Sequence, residues 1–201
     1  MKLGVLGGTF DPIHLGHMAA ADAARAAVSL DRVLFIPAGD PYLKAGTAIS
    51  PGEDRLAMVR AAIEGHAGYE ASTIELDRPG PTYTEETLAE LQDAHGPDTE
   101  LHFIVGADTV HDLSRWHAPA EVLSRCTLVV MGRPAQGDLD LAALDAIAPG
   151  STARAVAVDL DVEVSATEIR RRAAAGESLE GLVPPAVERY IREHQLYKEQ
   201  P

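Results

Sequence analysis

GGTFDPIHLGH, residues 7–17, follows a short apolar strand, Met1–Leu6, and runs into an alanine-rich segment with helical spacing. A strand, a tight glycine turn and a helix start make an anion cradle. The glycines let the backbone approach a ligand closely, and the first-turn amides of the helix point at it. His14 and His17 stand one turn apart, so both imidazoles can face one phosphate chain. A glycine-rich strand–turn–helix by itself is a weak sign of nucleotide binding; the added H-x-G-H makes it much stronger. The blander alternative is a tight turn with a capping histidine.

Outward from this stretch the chain alternates between two kinds of segment. Leu15–Val28 has helical composition, and Arg32–Ala38 is an apolar run bounded by Asp31 and Gly39, hence a buried strand. Gly39–Ser50 is a loop, Glu53–His66 a helix, Tyr69–Leu76 a strand and Arg78–Pro81 a turn. Thr82 to Glu85 has capping-box spacing and opens a helix to about His95. Glu100–Val105 is a strand ending in Gly106-Ala107-Asp108, followed by a short helix, Arg115-Trp116-His117 and another short helix to about Ser124. Cys126–Met131 is a buried strand, Leu139–Ile147 a helix and Arg154–Val158 a strand. Ser165 to Glu168 opens a helix to about Ala175, and Pro184–Gln195 forms the last one. Such alternation predicts an α/β fold, a mostly parallel sheet with helices on both faces and a helical C-terminal segment. Ligands of such sheets sit beyond the carboxyl ends of the strands, where Gly7–His17, Lys44, Gly106–Asp108, Trp116 and Arg133 are expected.

Composition narrows the function classes. A chain of 201 residues with 46% hydrophobic content can bury a good core as one domain, residues 1–201. Its apolar runs are too short to cross a bilayer, and a strand starting almost at Met1 leaves no room for a targeting segment. One cysteine, Cys126, cannot form an internal disulfide and reads as a buried thiol, which fits a reducing cytoplasm. The net charge of −14 argues against a sequence-independent grip on nucleic acid or on an anionic membrane. An anionic ligand therefore requires a local concentration of basic residues.

These residues together resemble the nucleotidyltransferase superfamily, and within it the bacterial nicotinate-nucleotide adenylyltransferases. The likeness rests on GGTFDPIH with the following H-x-G-H, GPTYTEETL at 80–88, FIVGAD at 103–108, RWH at 115–117, SATEIRRR at 165–172 and LVPPAVERYIREHQLY at 182–197. It implies a Rossmann-like, doubly wound fold. It also implies transfer of the AMP part of ATP to nicotinate mononucleotide, giving deamido-NAD and pyrophosphate, with Mg2+ carried by ATP. Pantetheine-phosphate adenylyltransferases share the chemistry but normally have threonine at the first histidine and lack the RWH and TYT pair. The amide substrate, nicotinamide mononucleotide, and a silent nucleotide-binding module stay open, as does association between copies of the chain.

Adenylyl transfer relies on positioning and charge neutralisation, so His14 and His17 read as hydrogen-bond donors to phosphates. A zinc site would need further ligands nearby. The resemblance implies catalytic roles for His14, His17, Lys44 and Arg170. It implies an ATP site formed by Gly7, Gly8, Thr9, Phe10, His17, Gly106, Asp108, Arg133, Ser165, Thr167, Ile169 and Arg170. For the mononucleotide it implies Lys44, Tyr83, Thr84, Trp116 and His117, with Trp116 stacked on the pyridine ring, and no metal ligand from a protein side chain. Free amides at a helix start beside Tyr83 and Thr84 suit a carboxylate better than a neutral amide. In isolation, Ser165 with Glu168 reads as a capping box. Ala166 stands where the family usually carries a second hydroxyl, and Tyr42-Leu43 replaces a Pro-His pair before Lys44. Arg171 and Arg172 read as surface charges and His102 as a packed, satisfied ring. His66, His95, His111 and His194 carry no motif.

Overall fold

In the computed structural model, which describes residues 1–40, 49–132 and 141–198, the elements run in strict alternation at first. They are β1 (Lys2–Gly8), α1 (Leu15–Val28), β2 (Arg32–Pro37), α2 (Gly52–Ile63), β3 (Tyr69–Ala71) and α3 (Thr84–His95). The second half has β4 (Glu100–Gly106), α4 (Ala107–Asp112), α5 (Pro119–Arg125), β5 (Cys126–Gly132), α6 (Ala143–Ile147), α7 (Ser151–Arg154), β6 (Val156–Asp159), α8 (Ala166–Ala175) and α9 (Pro185–Glu193). The strands form one sheet in the order β3-β2-β1-β4-β5-β6, every neighbouring pair parallel. This is the Rossmann-like, doubly wound arrangement. The winding reverses between β1 and β4, which opens a crevice at their carboxyl ends, beside Gly8 and Gly106.

Period-2 alternation sorts each strand's side chains to two cores. Leu3, Val5, Leu101, Phe103 and Leu128 pack with Leu88, Leu91 and Val122 on one face. Leu6, Val33, Phe35, Ile104 and Val129 pack on the other with Met18, Met58, Ile169, Val187 and Ile191, under α1, α2, α8 and α9. Burial on both faces explains why the strands read as continuous apolar runs. Among the described residues no helix is long and apolar enough to cross a membrane.

Several boundaries differ from the sequence reading, for local reasons. The strand expected over Tyr69–Leu76 stops at Ala71. Beyond it the Ile74 amide donates to Ser72 Oγ, and the Thr73 hydroxyl donates to Asp77. Such side chain–backbone turns compete with a ladder, most effectively at a sheet edge. The strand expected over Arg154–Val158 begins at Val156, because Ser151–Arg154 makes one helical turn first. His102 was expected to be satisfied, yet both its ring nitrogens are buried without a hydrogen bond, Glu100 Oε2 being 3.9 Å from Nε2. Burial lowers its pKa, and Lys2 lowers it further. Cys126 Sγ lies 3.2 Å from the Val122 carbonyl, and burial pushes its pKa up to about 12, so the thiolate is disfavoured.

Candidate active site

Two adjoining cavities, of about 530 and 520 Å³, open at the reversal between β1 and β4 and share Gly7, His17, Phe103, Asp108 and Trp116 as walls. Gly8, Thr9, His14, Thr84 and Arg170 add to the first, and Gly106, Met131 and Leu160 to the second. The topology thus gathers most of the sequence-predicted residues at one place.

His14 ends the turn into α1, and His17 lies on the helix's first turn. Their rings stack with centroids 3.7 Å apart and a 24° tilt. The His14 amide donates to His17 Nδ1 at 3.2 Å. That bond makes Nδ1 an acceptor and puts the neutral ring's proton on Nε2. His14 is 9% exposed, and burial depresses its pKa from 6.5 to about 4, so at neutral pH it donates as an uncharged imidazole. Gly16 is required between them: a Cβ there would stand 3.1 Å from two atoms of the His14 ring. Phe10, read as an ATP contact, is only 1% exposed and sets its ring edge-on to His17 at 4.9 Å. It lines the first cavity and supports the histidine from beneath. Its φ of 48° is the left-handed conformation that L side chains seldom adopt.

The loop before the histidines is clamped by residues that sequence reasoning missed. Arg55 of α2, 3% exposed, donates from Nη1 to the Thr9 carbonyl at 2.8 Å and from Nε to the Ser50 carbonyl at 2.9 Å. Desolvation lowers its pKa, and Asp11 is the first of the charges opposing that shift. Asp11 accepts from the Ser50 amide on Oδ2 at 3.2 Å and from the Tyr197 hydroxyl on Oδ1 at 2.7 Å. Burial and the neighbouring carboxylate raise the Tyr197 pKa, which keeps that hydroxyl a donor. Arg170 reaches from α8 to donate to the Asp11 carbonyl at 2.7 Å. Partners 46, 159 and 186 positions away leave no local pattern in the sequence.

The second predicted anion site is only partly brought in. Ala166 and Arg170 line the first cavity. Ser165 and Thr167 are exposed and line neither cavity, while Thr167 Oγ1 accepts from Arg170 at 3.3 Å. Ile169 is wholly in the core, with its amide bonded to the Ser165 carbonyl. No capping box forms there: Glu168 turns to Arg171 and Arg172 at 2.8 Å each, contacts that hold its pKa at about 2. At α3, Tyr83 rather than Thr82 precedes the first helical residue, again without a side-chain cap. Thr82, Thr84 and Thr87 face the first cavity instead. The Tyr83 and His117 rings lie against each other at 4.5 Å on the rim, and neither lines the two cavities. Lys44 and Arg133 lie outside the described residues, as do Tyr42 and Leu43. Among the described residues there is no cluster of three or more His, Cys, Asp or Glu able to hold a metal.

The comparisons with known proteins agree with this geometry. The cytidylyltransferase-like family model matches residues 5–172. A protein of Dehalococcoides mccartyi named "probable nicotinate-nucleotide adenylyltransferase" is 43% identical over 201 residues, covering 100% of this chain and 98% of its own. One of the same name from a Roseiflexus species is 44% identical over 197 residues, covering 98% of each chain. Among solved structures, the Plasmodium falciparum nicotinic acid mononucleotide adenylyltransferase complexed with NaAD superposes with a TM-score of 0.76 at 15% identity, covering 98% of this chain and 97% of that one. At that identity the likeness bears on the fold.

Proposed function

The chain belongs to the nicotinate-nucleotide adenylyltransferase family, within the cytidylyltransferase-like group, and from that premise we propose how its paired cavities act. The protein transfers the adenylyl group of ATP to nicotinate mononucleotide. A phosphate oxygen of the mononucleotide attacks the α-phosphorus in line, the bond to pyrophosphate breaks, and deamido-NAD is released. The observation that carries this reading is the meeting of His14, His17 and Arg170 on a cavity also walled by Thr84 and Trp116.

His17 donates from Nε2, and the neutral His14 donates beside it, to the phosphoryl oxygens on which charge builds. Arg170 supplies the fixed positive charge. Because His17 is oriented by the bond from the His14 amide and Arg170 by its bond to the Asp11 carbonyl, these donors need little reorganisation at the moment of transfer. Asp108 accepts from a ribose hydroxyl in the second cavity, beside Gly106. Trp116 stacks on the pyridine ring and the amides near Thr84 favour its carboxylate. Lys44 and Arg133 complete the positive cluster. Magnesium enters as part of the ATP substrate and offsets triphosphate charge. The lone cysteine and the biosynthetic family support action in the cytoplasm.

Pyrophosphate release with ATP and magnesium, measured in parallel with nicotinate mononucleotide, nicotinamide mononucleotide and phosphopantetheine, tests the reading. Strong preference for the first is expected. Equal use of acid and amide would remove the carboxylate argument, and turnover with phosphopantetheine alone would overturn the substrate.

A further inference from the structure

We infer that Glu85 positions Trp116 through His117, and thereby sets how firmly the acceptor's aromatic ring is gripped. The identity of that acceptor rests on the proposed function; the side-chain geometry does not.

Glu85 lies in the first turn of α3, where a carboxylate is favoured by the helix dipole, and its side chain is only 11% exposed. One oxygen meets His117 Nδ1, and the other, Oε2, is buried without a hydrogen-bond partner. A desolvated carboxylate that leaves half its capacity unused is uncommon and calls for an explanation. Here its one contact holds a ring that is otherwise 59% exposed and that leans on Tyr83.

Trp116 is the residue immediately before, and it walls both cavities. Its indole meets Phe103 edge-on, with centroids 6.0 Å apart at 68°, and its amide donates to the Leu113 carbonyl at 3.0 Å. On the other side Ala118 adopts φ 41° and ψ 54°, a left-handed conformation disfavoured for alanine that persists only where its surroundings enforce it. Arg115, before the tryptophan, is exposed and, among the described residues, pairs with the neighbouring Asp112 side chain. Among the contacts that tie this segment to the start of α3 is the Glu85–His117 contact, beside the packing of the His117 ring on Tyr83. Through it a helix start that borders the first cavity governs a ring shared by both.

The chain's single tryptophan makes the idea directly measurable. Emission and acrylamide quenching of Trp116 in the ligand-free protein read its positioning, and steady-state kinetics read the consequence. Glu85→Ala is expected to red-shift the emission and roughly double the quenching. It should raise KM for nicotinate mononucleotide by about three- to tenfold, the cost of ordering one side chain on binding, with kcat within about twofold. Glu85→Gln keeps an acceptor for His117 and should restore most of both. His117→Ala, at an exposed site that does not threaten folding, should reproduce the Glu85→Ala emission and quenching effects in the ligand-free protein, and the double variant should add nothing further to them. Unaltered emission and quenching in Glu85→Ala or His117→Ala would overturn the proposal, as would additive effects in the double variant. Should no mononucleotide be adenylylated, the substrate reading fails, while fluorescence of the free protein still decides the positioning.

Discussion

The loop carrying Gly7–His17 and the rim carrying Trp116 face the same cavity but are held in opposite ways. The loop is fixed by donors from three distant segments: the buried Arg55 on the Thr9 carbonyl, and the half-buried Arg170 on the Asp11 carbonyl and Tyr197 on the Asp11 carboxylate. The rim is exposed, strained at Ala118 and tied across elements by the contact of His117 with Glu85. The difference matches what each side must do. Phosphate donors gain most from being rigid, since a small misplacement of a reacting group is costly, whereas an aromatic clamp must admit and release a ring.

The hardest test of the rigid side is His17→Ala, which removes a donor without touching the clamps. It should leave circular dichroism unchanged and lower kcat by about 10²- to 10³-fold, as loss of a preorganised transition-state donor does. A rate within a few-fold of the parent would mean that the loop is held for some purpose other than donating to phosphate. Arg55→Met strikes the clamp itself, removing the donor that the half-buried Thr9 and Ser50 carbonyls share. A loss of about 3 kcal/mol in urea unfolding is expected, with kcat falling although no substrate contact is removed. Retained stability would dissolve the contrast between loop and rim.

Acid should also act on the loop rather than the rim. His14 has a folded pKa of about 4 against an ordinary value of 6.5, so the unfolded chain binds more protons between those limits. Its contribution is therefore complete above pH 6.5 and is lost as the pH falls towards 4, by about 3 kcal/mol in all. Chemical denaturation across that window should show a slope that His14→Asn flattens; an unaltered slope would assign it elsewhere, His102 first, since burial lowers its pKa too. The smallest effect is expected from Tyr197→Phe. One hydrogen bond to Asp11 is lost while Ser50 keeps the other oxygen, for about 1 kcal/mol read from the urea midpoint.

How much of this was legible in sequence follows from the range of each interaction. The glycine turn into α1, the buried strands and the spacing of His14 and His17 are short-range patterns, and they stand where the pattern places them. Elements resting on one polar side chain were less readable. Both expected capping boxes fail: Glu168 finds two arginines on its own helix, and Thr82 turns toward the cavity. Ile169 sits inside a binding motif yet its side chain is wholly in the core, and Phe10 is buried while also walling the first cavity, because a motif mixes residues that can touch a ligand with residues that hold those in place. Arg55 had no signal at all, and Asp11 and Tyr197 stood in motifs that did not show they would meet. A buried arginine and a surface arginine look alike until the fold brings a carbonyl to one of them.

The bond from Tyr197 to Asp11 has a consequence for how the protein comes into being. The tyrosine that secures the histidine turn is made 186 residues after the aspartate it bonds. Throughout synthesis the nascent chain carries this turn with its fastening incomplete, even once the sheet can pair. The geometry proposed for catalysis is therefore finished by Tyr197, and a chain released before that tyrosine would have its strands in place but an unfinished turn.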